Sequence, residues 1–227
     1  MAGTSSLNRF YLILLVLAVG GGGLLYWQVR RNVPTISSDV VVTVADTAGF
    51  SGYYLGSDSA PIVITEYADY RCSHCQAFAI VQFPDVVRQL IQTDQARWRY
   101  RDFPLGRNPV STLAAHSAAC ADDQGKYWQQ QAAIYQGAGQ WAAESEPSGT
   151  FRGYAEKVGL NLKAYDACMM SAKFAGRIKA SYDAGAAAGV SGTPTFFING
   201  RLYNGSPTSD AFKQIIDSLV PAAAPKP

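Results

Sequence analysis

Ile62-Val-Ile-Thr-Glu66-Tyr-Ala-Asp69-Tyr-Arg-Cys72-Ser73-His74-Cys75 joins an apolar run to a Cys-x-x-Cys pair. The run Ile62 to Tyr67 is rich in β-branched residues, which predicts a strand buried on both faces. A helix is expected from Cys72, carrying Phe78, Val81, Val86, Val87 and Leu90 inward, with Pro84 forcing a kink or a restart. Ala96 to Phe103 then alternates apolar and charged residues, the period-2 signature of a second strand. Strand, helix, strand is a right-handed crossover unit.

The place of the cysteines is informative. A thiol at a helix N-terminus meets unpaired backbone N–H groups and the positive end of the helix dipole, and a protonated imidazole at His74 would add to both. Cys72 is therefore expected to have a depressed pKa. Cys75 lies one turn into the same helix, close enough for a disulfide and deeper, so one sulfur is open to attack while the other resolves a mixed disulfide. A passive bridge and half a zinc site are the alternatives. Zinc needs about four ligands, and His74, His116, Cys120 and Cys168 form no second pair at suitable spacing, so no metal and no cofactor is expected. Glu66, six residues before Cys72, is placed beneath the helix, where a buried carboxyl can relay the proton of Cys75; a solvent-facing strand-end glutamate is its alternative. Asp69 suits capping or turn chemistry.

Beyond the first unit, alanine-rich helical segments are expected at about Pro109 to Asp123, Lys126 to Gln136, Thr150 to Val158, Leu162 to Ser171 and Phe174 to Ala188, an all-helical insertion over about 109–189. Tyr127, Trp128 and Ile134 recur at helical spacing and read as core, and His116 as a packing residue. Thr195 to Ile198, the Asn199-Gly200 turn and Arg201 to Tyr203 form a hairpin signal. An amphipathic helix follows over Ser209 to Val220, then a flexible tail at 221–227. Cys120 and Cys168 fall in two helices of the insertion. In an oxidising compartment they are expected to form a structural bridge contributing about 4 kcal/mol on the chain-entropy model; two inert thiols, or a relay exchanging with Cys72 and Cys75, are the alternatives.

The 227 residues hold 19 Lys+Arg against 17 Asp+Glu, with 16% charged and 48% hydrophobic residues. Collagen-like and highly charged disordered classes are excluded. With no basic cluster longer than Arg30-Arg31, no nucleic-acid partner is expected. After a short tail at 1–9, residues 10–29 run uncharged from Phe10 to Val29, with Phe10-Tyr11 and Tyr26-Trp27 at the ends and Arg9 and Arg30-Arg31 outside. This predicts one N-terminal transmembrane helix, a cleaved signal peptide being the alternative. Residues 30–60 read as a polar linker with one edge strand at Val40 to Val44, and the compact domain as 61–220.

Glu66-Tyr-Ala-Asp69 leading into Cys72-Ser-His-Cys75, together with Val190-Ser-Gly-Thr-Pro-Thr-Phe-Phe-Ile-Asn199-Gly200, resembles the DsbA-like branch of the thioredoxin-fold thiol oxidoreductases, and most the membrane-tethered bacterial forms. The resemblance covers roughly Gly56 to Leu219. It implies an α/β thioredoxin fold, β-α-β and β-β-α halves around the helical insertion. It also implies a cis peptide before Pro194, packed against the cysteines, with the Thr193 backbone presented to an extended substrate peptide. An acid stands at the position of Glu66 in such proteins. The pattern departs at Ser73, where strongly oxidising members commonly carry proline, so a potential anywhere from about −120 to about −270 mV is compatible.

The resulting expectation is an exported, single-pass membrane enzyme with its catalytic domain on the periplasmic side, donating the Cys72–Cys75 disulfide to reduced exported polypeptides. The resemblance implies reoxidation by a membrane oxidase of the DsbB or vitamin-K-epoxide-reductase type. A monomer is expected, since residues 30–60 leave no room for a dimerisation domain. The rivals are an isomerase or reductase kept reduced by a membrane electron donor, and a tethered peptide-binding module or chaperone without a redox cycle.

Overall fold

The computed structural model describes residues 4–31, 36, 40–203 and 208–219, and within the first helix the side chains of 8–24. The chain divides into two units, 1–34 and 35–227. The first is helix α1, Thr4–Arg31, whose described side chains are exposed along its length. It starts at Thr4, so most of the expected 1–9 tail is helical. Among the described residues no helix is long and apolar enough to cross a membrane. The expected span at 10–29 is thus not found there, because the described side chains stop at Leu24. Those of Tyr26, Trp27, Arg30 and Arg31, and the tail 221–227, lie outside the described residues.

The second unit corrects the expected linker. Val40 to Val44 forms no strand; a short helix α2, Val44–Thr47, is closed by a capping box in which the Thr43 N–H donates to Asp46 Oδ2 at 2.7 Å. The edge strand is β1, Tyr53–Leu55, and Tyr53 is buried. Gly52, at φ 140, makes the approach possible: a Cβ there would stand 2.7 Å from Arg99 Cγ and 2.9 Å from the Tyr100 carbonyl oxygen. Three residues between glycines are too few for a period-2 signal.

β2 (Ile62–Ala68) pairs in parallel with β3 (Ala96–Asp102), and β1 lies antiparallel on the far side of β3. β4 (Thr195–Ile198) pairs antiparallel with β2, and β5 (Arg201–Tyr203) closes the order β1-β3-β2-β4-β5. The β-α-β and β-β-α halves meet at β2 and β4, as expected. Asn199 and Gly200, at φ 47 and 78, make the hairpin turn between β4 and β5. The helix after β2 is segmented: α3 (Ser73–Ala77), a π-helical turn at Phe78–Gln82, α4 (Phe83–Val86) and a second π-helical turn at Val87–Ile91. Pro84 lacks an N–H, and the ladder slips by one residue before it, which is the expected restart.

Between β3 and β4 lie α5 (Pro109–Asp122), α6 (Tyr127–Gln136), α7 (Ala138–Trp141), α8 (Ser148–Lys157), α9 (Leu162–Ser171) and α10 (Ala175–Ala187). Asn108 starts α5 by accepting from the N–H groups of Val110 and Ser111, with Pro109 at the first helical position. The one-turn α7 was not anticipated; it buries Trp141, whose indole N–H donates to the Ile134 carbonyl at 2.7 Å. The last helix, α11 (Ser209–Leu219), turns Phe212 and Ile216 inward.

The sheet is covered on both faces. On one, Trp98 stacks on Phe78 and meets Phe212 edge-on. On the other, Tyr67, Phe103 and Phe197 pack against Tyr182 of α10, where Gly185 lets the helix approach: a Cβ would come within 2.8 Å of Phe103 and Tyr67.

Candidate active site

Cys72 is the N-cap of α3, with extended backbone angles (φ −71, ψ 119), so its side chain lies at the mouth of the helix. The strand before it, buried on both faces, fixes this position from below. The sulfur is half-buried and 3.1 Å from the Thr193 carbonyl oxygen, to which the thiol donates. This contact joins the two motifs across 121 residues, and Thr193–Pro194 is a cis peptide bond.

The electrostatics separate the two thiols. Cys72 is pulled down to about 5, chiefly by a hydrogen bond from the Cys75 thiol; burial opposes this, and Thr193 and the backbone N–H groups of Cys75 and His74 add to it. The Thr193 hydroxyl is buried with no hydrogen-bond partner among the described residues. Cys75 is fully buried, and desolvation, its bond to Cys72 and the charge of Glu66 push its thiol far above the ordinary range. One sulfur is a stable thiolate at neutral pH and the other holds its proton.

Glu66 is buried under this helix, with Oε2 accepting from the Trp98 indole N–H at 3.2 Å. Burial raises its carboxyl to about 8, the indole bond works against this, and negative charge on Cys72 raises it further. Glu66 therefore carries a proton at neutral pH. Asp69 is a turn residue: Oδ1 accepts from the Arg71 N–H and Oδ2 from the Leu105 N–H, both at 2.8 Å, tying the β2–α3 turn to the segment after β3.

The His74 ring is exposed and, among the described residues, makes no hydrogen bond to Cys72; the His74 backbone N–H reaches the sulfur. Ser73 is exposed beside it. Trp98 was not recognised from sequence as a site residue, although the alternation of β3 already placed it on the buried face, and its pairing with Ile64 brings it next to Glu66.

Away from this site, Cys120 and Cys168 are joined Sγ to Sγ, 48 residues apart, bridging α5 and α9. His116 is buried beside them, with Nδ1 3.3 Å from Met169 Sδ and 3.7 Å from Cys120 Sγ. Its Nε2 accepts from the Phe174 N–H at 3.1 Å, so the ring proton belongs on Nδ1 and faces sulfur. These atoms could be mistaken for a metal cluster, but the sulfurs are spent on each other and Nδ1 has no free lone pair. His116 is thus a packing residue, and its burial lowers its pKa to about 4.

The family model described as Thioredoxin matches residues 50–218. A Na(+)/H(+) antiporter NhaA 3 from Salinispora tropica is 31% identical over 173 residues, covering 76% of this chain and 25% of the antiporter; the chain thus spans about a quarter of the length of that relative. A probable disulfide bond formation protein D from Bacillus anthracis is 24% identical over 168 residues, 72% of this chain and 76% of its own. Among solved structures, Wolbachia pipientis alpha-DsbA1 is similar at TM-score 0.66 and 25% identity, covering 73% of this chain and 89% of that one.

Proposed function

The chain belongs to the thioredoxin family, and we propose that it is a DsbA-like thiol:disulfide oxidoreductase that donates its Cys72–Cys75 disulfide to reduced exported polypeptides. The observation that carries this is the split between the two thiols: Cys72 lowered to about 5 at the helix mouth, Cys75 buried and raised. A thiolate of low pKa is a good leaving group, so the disulfide is readily given up and the reduced protein is favoured.

A substrate thiolate attacks Cys72 Sγ, the Cys72–Cys75 bond breaks, and its electron pair goes to Cys75, which takes a proton from Glu66. A second substrate thiol gives up its proton and attacks the substrate sulfur of the mixed disulfide, Cys72 leaves as a thiolate, and Glu66 regains a proton, so that the one lost by the second thiol is accounted for. The substrate has lost two electrons and the protein has gained them. An extended substrate would lie along Thr193, whose backbone is at the sulfur.

Anchorage in a membrane through α1, with the catalytic unit outside the cytoplasm, is part of the proposal. It is supported by the uncharged run Phe10 to Val29 and by the Cys120–Cys168 bridge, a bond of oxidising compartments. So is regeneration by a membrane oxidase of the DsbB or vitamin-K-epoxide-reductase type acting on a monomer. Equilibration of the protein with glutathione tests the direction of electron flow. A potential near −120 mV is expected, and one near −270 mV would instead favour a reductase.

A further inference from the structure

Three short segments meet at the reactive sulfur or are tied to it. They are the turn and helix start at 69–77, the loop at 103–109 that Asp69 holds through the Leu105 N–H, and the stretch 188–195 that brings Thr193 to Cys72. Their charges are uneven. The one acid in these segments is Asp69, which is buried and gives both carboxylate oxygens to backbone N–H groups. The two arginines, Arg71 and Arg107, are exposed, as is His74. Neither arginine has a carboxylate partner among the described residues.

Arg71 is the better placed of the two. The Cys72 N–H donates to the Asp69 carbonyl at 3.1 Å, closing the turn Asp69-Tyr70-Arg71-Cys72. Within it the Arg71 N–H donates to Asp69 Oδ1 at 2.8 Å, and the Tyr70 carbonyl accepts from Gln76 Nε2 at 2.9 Å. Tyr70 turns inward, buried and stacked on Tyr135. The backbone of Arg71 is thus held by its own turn, while its side chain goes to solvent one residue from the sulfur. Arg107 stands farther along the tied loop, with its guanidinium 5.6 Å from the ring centre of Tyr182. Asp183, the residue after Tyr182, is paired with Lys179.

We propose that Arg71 is a specificity-determining residue of the exchange reaction, favouring reduced polypeptides that carry aspartate or glutamate within a residue or two of the reacting cysteine, with Arg107 extending the same preference. The inference rests on the thiol:disulfide reading above. A substrate thiolate has to reach Cys72 Sγ beside the Thr193 carbonyl, so the residues flanking it pass the turn that carries Arg71. A guanidinium presents paired N–H donors that match a carboxylate. The bonds made and broken stay as described; Arg71 acts on the encounter and on the mixed disulfide. An ion pair open to water in this way changes a rate by about two- to fivefold and weakens as salt is added.

The test uses two dithiol peptides of one sequence that differ only in glutamate or lysine beside the reacting cysteine, each oxidised by the full chain. Stopped-flow fluorescence gives a glutamate-to-lysine rate ratio for each protein, and comparing ratios between proteins cancels the peptides' own reactivity. From wild type to Arg71→Glu the ratio should fall severalfold, because attraction becomes repulsion. Arg201→Glu makes the same change of charge on β5, opposite Ile198, at the end of the sheet away from Cys72, and should leave the ratio near that of wild type. A ratio unmoved by Arg71→Glu, or moved equally by Arg201→Glu, would overturn the inference while leaving the oxidoreductase reading intact; failure of the wild type to oxidise either peptide would overturn both. If Arg71→Glu does not fold, the wild-type ratio at about 0.01 M against about 1 M salt decides. A severalfold decline is expected, and a ratio indifferent to salt would contradict the proposal.

Discussion

At the residue scale, the site depends on where one acid and two sulfurs sit relative to water. Cys72 is the only one of the three within reach of solvent; Cys75 and Glu66 are buried. A buried Cys75 needs a neighbour to hand it a proton, the role proposed for Glu66, whose carboxyl is lifted by burial to about 8. Glu66→Gln keeps an oxygen for the Trp98 indole but removes the exchangeable proton. Oxidation of a dithiol peptide is expected to slow by about 10²-fold, with the Cys72 titration little changed. Rates equal to wild type in stopped-flow fluorescence would show that Cys75 exchanges its proton by another path.

At the scale of elements, the helical region is held to itself by the Cys120–Cys168 bridge and by a buried polar cluster in which Ser117 Oγ meets the Tyr165 hydroxyl at 2.7 Å and accepts from Gln130 Nε2 at 3.0 Å. Replacing both bridging cysteines by serine should lower stability by about 4 kcal/mol on the chain-entropy model, read from denaturant midpoints, and leave the potential of Cys72–Cys75 in place. A parallel change in that potential would reveal a relay between the two pairs. Most of these elements could be read from the sequence, because alternation in β3, the Asn199-Gly200 turn and the alanine-rich helical segments are local signals. The parts that could not be read depend on tertiary contact. β1 is a strand only because β3 offers it an edge and Gly52 lets the backbones meet. The π-helical turns follow from Pro84, but their register does not. Trp98 meets Glu66 only once the parallel register with β2 is set, and the exposure of the His74 ring follows from how α3 sits on the fold, not from its position in the motif.

At the scale of the molecule, the catalytic unit carries buried ionisable groups whose titrations oppose one another. His116 is lowered from 6.5 to about 4, so between those values the unfolded chain takes up a proton that the folded one refuses, and acid destabilises. Glu66 and Asp102, raised from 4.5 and 3.8 to about 8 and about 7, do the reverse: the folded chain keeps protons that the unfolded one loses, so stability falls as pH rises through that window. In the oxidised protein Cys72 and Cys75 do not titrate, and two acids outweigh one histidine. The thermal midpoint of oxidised protein should therefore decline from about pH 5 to about pH 8. A midpoint that climbs over that interval would mean that the two acids are ionised in the folded state.

The ionisation of Cys72 in reduced protein, followed by thiolate ultraviolet absorbance with Cys72→Ser as the blank, bears most directly on the whole account. A midpoint near pH 5 is predicted. A midpoint near pH 8.5, the value of an ordinary cysteine, would contradict it and remove the driving force for disulfide donation.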